Sequence, residues 1–286
     1  MEKLKSIILV LIAIFSIQGG ASFAKQLFTV LGPGVTTFLR VWISALLLLV
    51  IFQPWKHKLT KNTWGVVALY GMSLGAMNLL FYLALQRIPL GVAVALEFTG
   101  PLAVATFASK KALDVVWALL AGLGIVLILP HANFSSSIDV IGVALALGAG
   151  FFWGLYIVFA KKVGRSIVGG SATALGMFFA ALTVTPTAIP QLHFADYTLQ
   201  IWLSALAVAV LSSALPYSLE MIALRSIPSK TFGVLMSLEP AVAALMGFVF
   251  LNEKLSGLQL MAILCVMVAS SGSSLTSRTA EVPTQS

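Results

Sequence analysis

Apolar residues in this chain come in ten runs, each near the length that crosses a bilayer, separated by short polar stretches. The runs cover 6–24, 34–53, 64–84, 90–108, 113–129, 138–160, 169–190, 199–224, 231–251 and 256–276. A transmembrane helix needs about 20 apolar residues. Runs this long predict helices, since the strands of a membrane barrel are about ten residues of alternating character. The pattern predicts an all-α polytopic membrane protein of ten transmembrane helices, with residues 1–286 forming a single integral membrane domain. At 59% hydrophobic and 9% charged residues, little chain remains for a soluble domain.

Charge adds orientation. Lys3, Lys5, Lys56, Lys58, Lys61, Lys110, Lys111, Lys161, Lys162, Arg165, Arg225, Lys230 and Arg278 fall on one side of the ten-span arrangement. Lys25, Arg87 and Lys254 fall on the other. Short cytoplasmic loops are enriched in Lys and Arg, so both termini are predicted inside. The net charge of +8 therefore orients the chain, and its scatter over short loops argues against a nucleic-acid partner. Cys265 stands alone, which excludes an intrachain disulfide and a cysteine metal cluster. His57, His131 and His193 fall in separate loops, so no metal and no cofactor is expected. Lys3-Leu4-Lys5, an apolar run and Ser22-Phe23-Ala24 resemble a signal peptide. Cleavage is not expected, because the internal repeat needs this helix.

That repeat is legible in the residues. Ala84-Leu85-Gln86-Arg87-Ile88-Pro89 lines up with Ala223-Leu224-Arg225-Ser226-Ile227-Pro228. Twelve residues after each of these prolines comes another, Pro101 and Pro240. Phe23-Ala24-Lys25 likewise matches Phe159-Ala160-Lys161. Two five-helix halves follow, 5–130 and 138–276, and an odd number of spans inverts the second relative to the first. Inverted repeats are common in secondary transporters, with the substrate path between the halves. Small residues at four-residue spacing, Gly71 and Gly75 in span 3 and Ala146, Gly150 and Gly154 in span 6, predict close helix contacts. Gly71-Met72-Ser73-Leu74-Gly75 also fits the G-x-S-x-G pattern of serine hydrolases. That motif requires a strand–turn–helix setting, which a membrane helix does not offer.

Ionisable residues at membrane depth mark functional sites by default. Arg40, Glu97, Glu220 and Glu239 are the four here. Arg40, Glu97, Gln18 and Asn78 come from four spans yet lie roughly 9–11 Å below the outer boundary at 1.5 Å per residue. Trp153, Tyr156, Tyr217, Glu220 and Glu239 form a counterpart roughly 6–12 Å from the cytoplasmic side. A layer with both Arg and Glu suits a zwitterion: guanidinium grips a carboxylate in two places, and a carboxylate accepts an ammonium. The residue set read as substrate-binding is Arg40, Glu97, Gln18, Asn78, Tyr82, Trp153, Tyr156 and Tyr217. A structural Arg40–Glu97 ion pair, and aromatic residues that merely pack, are the competing readings. Pro101, Pro216 and Pro240 cannot donate to the carbonyls of Glu97, Ser212 and Met236, which makes these prolines candidate hinges or cavity walls.

No G-x-x-x-x-G-K-[ST] motif occurs, so an ion gradient or the substrate's own gradient must drive transport. Protons are the first choice, with Glu97, Glu239 and Glu220 as coupling candidates and Glu220 near enough to the interface to snorkel to water. An intramembrane enzyme would need a nucleophile with a base, or a metal cluster, at membrane depth, and the sequence shows neither. A receptor would need more extramembrane chain. Four segments are more specific than shared hydrophobicity: Ser16-Ile17-Gln18-Gly19-Gly20-Ala21-Ser22, Val94–Leu102 around Glu97, Ala214–Leu224 around Glu220, and Met236-Ser237-Leu238-Glu239-Pro240. On these the chain resembles the drug/metabolite transporter superfamily of the EamA type along nearly all its length. The resemblance implies ten helices in two repeats and export of small neutral amino acids, threonine or homoserine first, across the bacterial inner membrane. Broader export of metabolites, amino-acid analogues or aromatic amino acids is the alternative. The partners implied are a small amino acid, protons and membrane lipid, with no obligate protein partner.

Overall fold

The computed structural model describes residues 2–56, 60–108, 112–128, 139–164, 166–167, 170–194, 197–224 and 227–276. Lys58, Lys110, Lys111, Arg165, Arg225, Arg278, His57 and His131 lie outside the described residues, as do the side chains of Lys3, Lys61 and Lys230 and the repeat limits at 130 and 138. The described residues are helical almost throughout, with no strand among them. The helices are α1 (Glu2–Phe52), α2 (Lys61–Leu85), α3 (Leu90–Glu97), α4 (Thr99–Ala108), α5 (Ala112–Ile128) and α6 (Val140–Val163). They continue as α7 (Gly170–Ala188), α8 (Leu199–Ala209), α9 (Leu215–Leu224), α10 (Ser229–Met236), α11 (Glu239–Leu251) and α12 (Gly257–Thr276). By length and composition, eight helical stretches among the described residues can cross a membrane, and a shorter apolar helix covers Leu113–Ile128. Val30, Val50, Phe107, Leu119, Leu199 and Phe248 are largely exposed on the outside of the bundle. Such a surface suits hydrocarbon rather than water.

The breaks between helices have local causes. α1 is interrupted at Gly32, whose φ of 70° and ψ of 163° are open to glycine and costly for other residues. Pro33 follows, tolerated because a helix's first turn leaves its N–H groups unbonded. The segment 25–31, expected to be a loop, is helical, and its polar side chains are satisfied there: Lys25 on the α2–α3 turn and the α11–α12 connection, and Gln26 on α11. Span 4 divides at Phe98 into α3 and α4, and span 9 divides at Ser237-Leu238 into α10 and α11. In each case a proline, Pro101 or Pro240, cannot bond back four residues. Pro240 thus sits in the first turn of α11, not in the middle of a helix. Between α8 and α9 the chain makes one π-helical turn, Val210–Ala214, just before Pro216.

Packing is mostly between helices of opposite halves. α1 packs on α7, α8, α9 and α11, α2 on α6 and α7, α3 on α11 and α6, α4 on α6, and α5 on α12. The small residues lie at these contacts, as their spacing predicts. A Cβ built on Gly75 would stand 2.7 Å from the Ala180 carbonyl oxygen on α7. One built on Gly150 would stand 2.7 Å from the carbonyl oxygen of Glu97. The carbonyl left free by Pro101 is therefore covered by the bare Cα face of Gly150, and the α3–α4 break is packed directly on α6.

Candidate functional site

The helix breaks surround a cavity of about 430 Å³ in the middle of the bundle. Its lining includes Gln18, Arg40, Asn78, Glu97, Pro101, Trp153, Tyr156, Tyr217, Glu220 and Glu239. The two polar layers expected from depth are thus one site. They meet where Gln18 Nε2 donates to Glu239 Oε2 at 3.4 Å. Three expected residues do not reach the lining. Tyr82 is fully buried with its ring 4.9 Å beneath the Arg40 guanidinium carbon, so it supports Arg40 from behind. Pro216 and Pro240 shape the adjoining breaks instead.

Arg40 is held by the π turn. Its Nε donates to Ser213 Oγ at 3.3 Å and its Nη2 to the Ser212 carbonyl at 3.2 Å. Pro216 has no N–H to offer that carbonyl. Ser16 Oγ donates to the Leu211 carbonyl at 2.6 Å and Ser44 Oγ to the Ala209 carbonyl at 3.2 Å. The wide turn is thereby satisfied by side chains of α1, as irregular backbone at membrane depth must be. A guanidinium has five N–H donors. Two are used here, which leaves the outer edge free for an incoming carboxylate.

The competing ion-pair reading fails on distance: no Arg40–Glu97 contact falls within 4.0 Å. Glu97 is only 7% exposed, and among the described residues its carboxylate makes no ion pair. The buried polar atoms without a partner among the described residues are Gln18 Oε1 and Glu220 Oε1, on the lining, and the Tyr82 hydroxyl, behind Arg40. An unpartnered buried polar atom costs about 1–3 kcal/mol, which a polar ligand in the cavity would relieve. Glu220 turns into the cavity rather than outward to the surface. Asn78 Nδ2 is spent on the Leu74 carbonyl at 2.7 Å, so its amide oxygen is the group it can offer. Tyr156 stacks on Tyr70 with ring centroids 4.9 Å apart. Trp153 meets Phe98 edge-on at 4.9 Å and braces the α3–α4 break.

The sequence reading missed the contribution of α12. Ser270, Ser273 and Ser274 line the cavity. The signal was available in Ser270-Ser271-Gly272-Ser273-Ser274, a polar run inside an otherwise apolar span. Met77, Phe81, Phe232 and Met236 supply apolar wall that periodicity could not tell from packing.

Comparison with known proteins fits this architecture. The EamA-like transporter family matches residues 140–275. The threonine/homoserine exporter RhtA of Escherichia coli (strain K12) is 49% identical over 273 residues, covering 95% of this chain and 92% of that protein. This chain belongs to the EamA-like transporter family. RhtA of Salmonella typhimurium (strain LT2) matches to the same extent. Protein PecM of Dickeya dadantii is 27% identical over 219 residues, 72% of each chain. A solved crystal structure shares the fold at TM-score 0.63 and 16% identity, over 96% of this chain and 99% of that one. The chain is a multi-pass membrane transporter of this family, not an enzyme.

Proposed function

We propose that this protein exports small neutral amino acids, threonine and homoserine first, from cytoplasm to periplasm across the bacterial inner membrane. The observation that carries this reading is a buried cavity in which one anchored guanidinium shares the walls with three carboxylates, none of them ion-paired to it. Arg40 takes the substrate carboxylate, and Glu97, Glu239 and the free Gln18 oxygen take its ammonium. The near-full-length identity to exporters named for threonine and homoserine narrows the side chain. Export is coupled to protons by Glu97, Glu239 or Glu220, and proceeds by alternating access. The test is efflux of radiolabelled threonine and homoserine from loaded cells. Expression of this chain should speed efflux of both, with aromatic amino acids competing weakly. Efflux at the level of cells without the protein, despite its insertion in the membrane, would overturn the assignment.

The scaffold is read as ten spans in two inverted repeats, 5–130 and 138–276. A 49-residue helix is about 74 Å long at 1.5 Å per residue, more than twice a hydrocarbon core of about 30 Å. The Gly32 break divides it into two crossings. The packing supports the repeat. Exchanging every span with the one five places away carries the α2–α6 contact onto α1–α9, and returns α1–α7, α3–α11 and α5–α12 to themselves. With the termini inside, a reporter active only outside should be silent when fused after Lys61, Lys111, Arg165 or Ser286. It should be active after His131 or His193. Activity at Ser286 with silence at His131 would reverse the orientation.

A further inference from the structure

The cavity is closed at one end and loosely walled at the other. Its lining reaches Ala105 and Ser274 in the last turns of α4 and α12, Ile157 within two turns of the end of α6, and Phe232 in the first turn of α10, all toward the termini end. There the core splits into three clusters. Val10, Ile14 and Ala223 form one, Val67, Tyr70 and Leu175 another, and Leu102, Ala121 and Ala269 a third. At the opposite end one cluster joins Ala24 and Phe28 of α1, Tyr82 and Leu85 of α2 and the apolar length of α3, and a second packs Leu31 and Val35 of α1 with Ala188 and Ala205. All eight residues of α3 are buried.

Over this closed end lies a charged knot. Lys25 Nζ sits 2.8 Å from Glu253 Oε1 and donates to the Ile88 carbonyl at 2.9 Å. Glu253 Oε2 accepts the N–H of Leu90, the first residue of α3, at 2.8 Å. One cation and one carboxylate thus tie α1, the α2–α3 turn, α3 and the α11–α12 connection. The carboxylate is aimed by the backbone. Asn252 ends α11 in the left-handed region at φ 54°, and the Glu253 N–H returns to the Gly247 carbonyl at 3.0 Å. Gly247 leaves room for the Glu253 carboxylate, which would collide with any side chain there. A second ion pair at the same end, Arg87 to Asp139 at 2.7 Å, ties the α2–α3 turn to the start of α6. Its hydrogen bond from Arg87, aided by the Ile141 and Gly142 N–H groups, holds the Asp139 carboxyl below the usual aspartate range. This pair therefore survives until pH falls below that range.

The knot is placed to act as a gate. Ala21 lines the cavity on α1 and Val94 on α3, and Lys25 and Leu90 stand one helical turn beyond them. We infer that the Lys25–Glu253 clasp is the latch of the gate opposite the termini, and that its rupture opens the cavity to that face. The inference rests on the alternating-access reading. Hydrogen bonds to charged groups at a partly buried pair are strong enough to set which state dominates, and a single carboxylate shared by three elements makes release all-or-none.

The test reads accessibility rather than transport. In a Cys265→Ser background, Ala21→Cys is labelled by a membrane-impermeant maleimide applied only to the face opposite the termini. With the clasp intact, labelling is slow. Lys25→Met and Glu253→Gln, which keep shape and remove charge, should each speed it about tenfold or more. Their combination should label no faster than either alone, since both break one interaction. Lys25→Arg, which keeps the charge, should stay slow. Parental labelling rates in both single variants, at parental protein levels, would overturn the latch, as would rapid labelling with the clasp intact. No amino acid is needed for this readout. A protein with the predicted labelling pattern that exports neither threonine nor homoserine keeps the gate and loses the substrate assignment.

Discussion

Arg40→Ala abolishes threonine and homoserine export while the protein still inserts in the membrane, and Arg40→Lys recovers little of it. The expectation follows from how the guanidinium is used. Its Nε and Nη2 are fixed on Ser213 Oγ and the Ser212 carbonyl, and the Tyr82 ring lies beneath it. The remaining donors face the cavity as a fork that matches a carboxylate. A lysine ammonium is a single point with three donors. It cannot hold the π turn and grip a carboxylate bidentately at once. Removing one partner of a buried charge pair costs about 2–5 kcal/mol, a loss of roughly 30-fold or more. The measurement is efflux of labelled substrate at matched membrane protein levels, with substrate binding to the purified variant as the second readout. Full transport by Arg40→Ala at normal abundance would show that the residue only braces the π turn.

Arg40 also shows how far the sequence was legible and where it stopped. The depth of Arg40 and the missing N–H of Pro216 could each be read from position, one as a charge needing a partner, the other as a carbonyl needing a donor. That the two needs answer each other depends on α1 crossing the π turn, a contact between residues 172 apart in sequence. Helix depth is local, because 1.5 Å per residue runs from the nearest loop. Lateral position is not. Tyr82 was read as a cavity residue, but its ring lies beneath the Arg40 guanidinium and off the lining. For the same reason Gln18 and Glu239 were assigned to separate layers although they share a hydrogen bond. The glycine spacings of α2 and α6 were better guides, since a residue without a side chain at membrane depth announces a close neighbour whatever that neighbour is. Lys25 was legible only as a rare charge on the less basic side. Its partner, 228 residues away, is visible only in the fold.

The other large effect is expected at the carboxylates, and here transport and its coupling should separate. Glu97 ends α3 and Glu239 begins α11, each beside a break that a proline maintains. A carboxylate at such a break changes its surroundings when the two short helices tilt, which is what a group that takes up a proton on one side and releases it on the other requires. Glu239 is tied to Gln18, and a glutamine in its place can keep that bond. Glu97 makes no ion pair among the described residues and faces the cavity with Arg40. It is the better candidate for the exchanging proton. Glu97→Gln should therefore fold and still carry out counterflow, in which substrate trades for substrate with no net proton movement. It should fail to accumulate substrate against a gradient when a proton gradient is imposed on proteoliposomes. Glu239→Gln should lose less. If both variants retain parental proton-driven accumulation, neither residue carries the coupling. Glu220, whose Oε1 is buried without a partner nearer the termini end, then becomes the group to replace in the same assay.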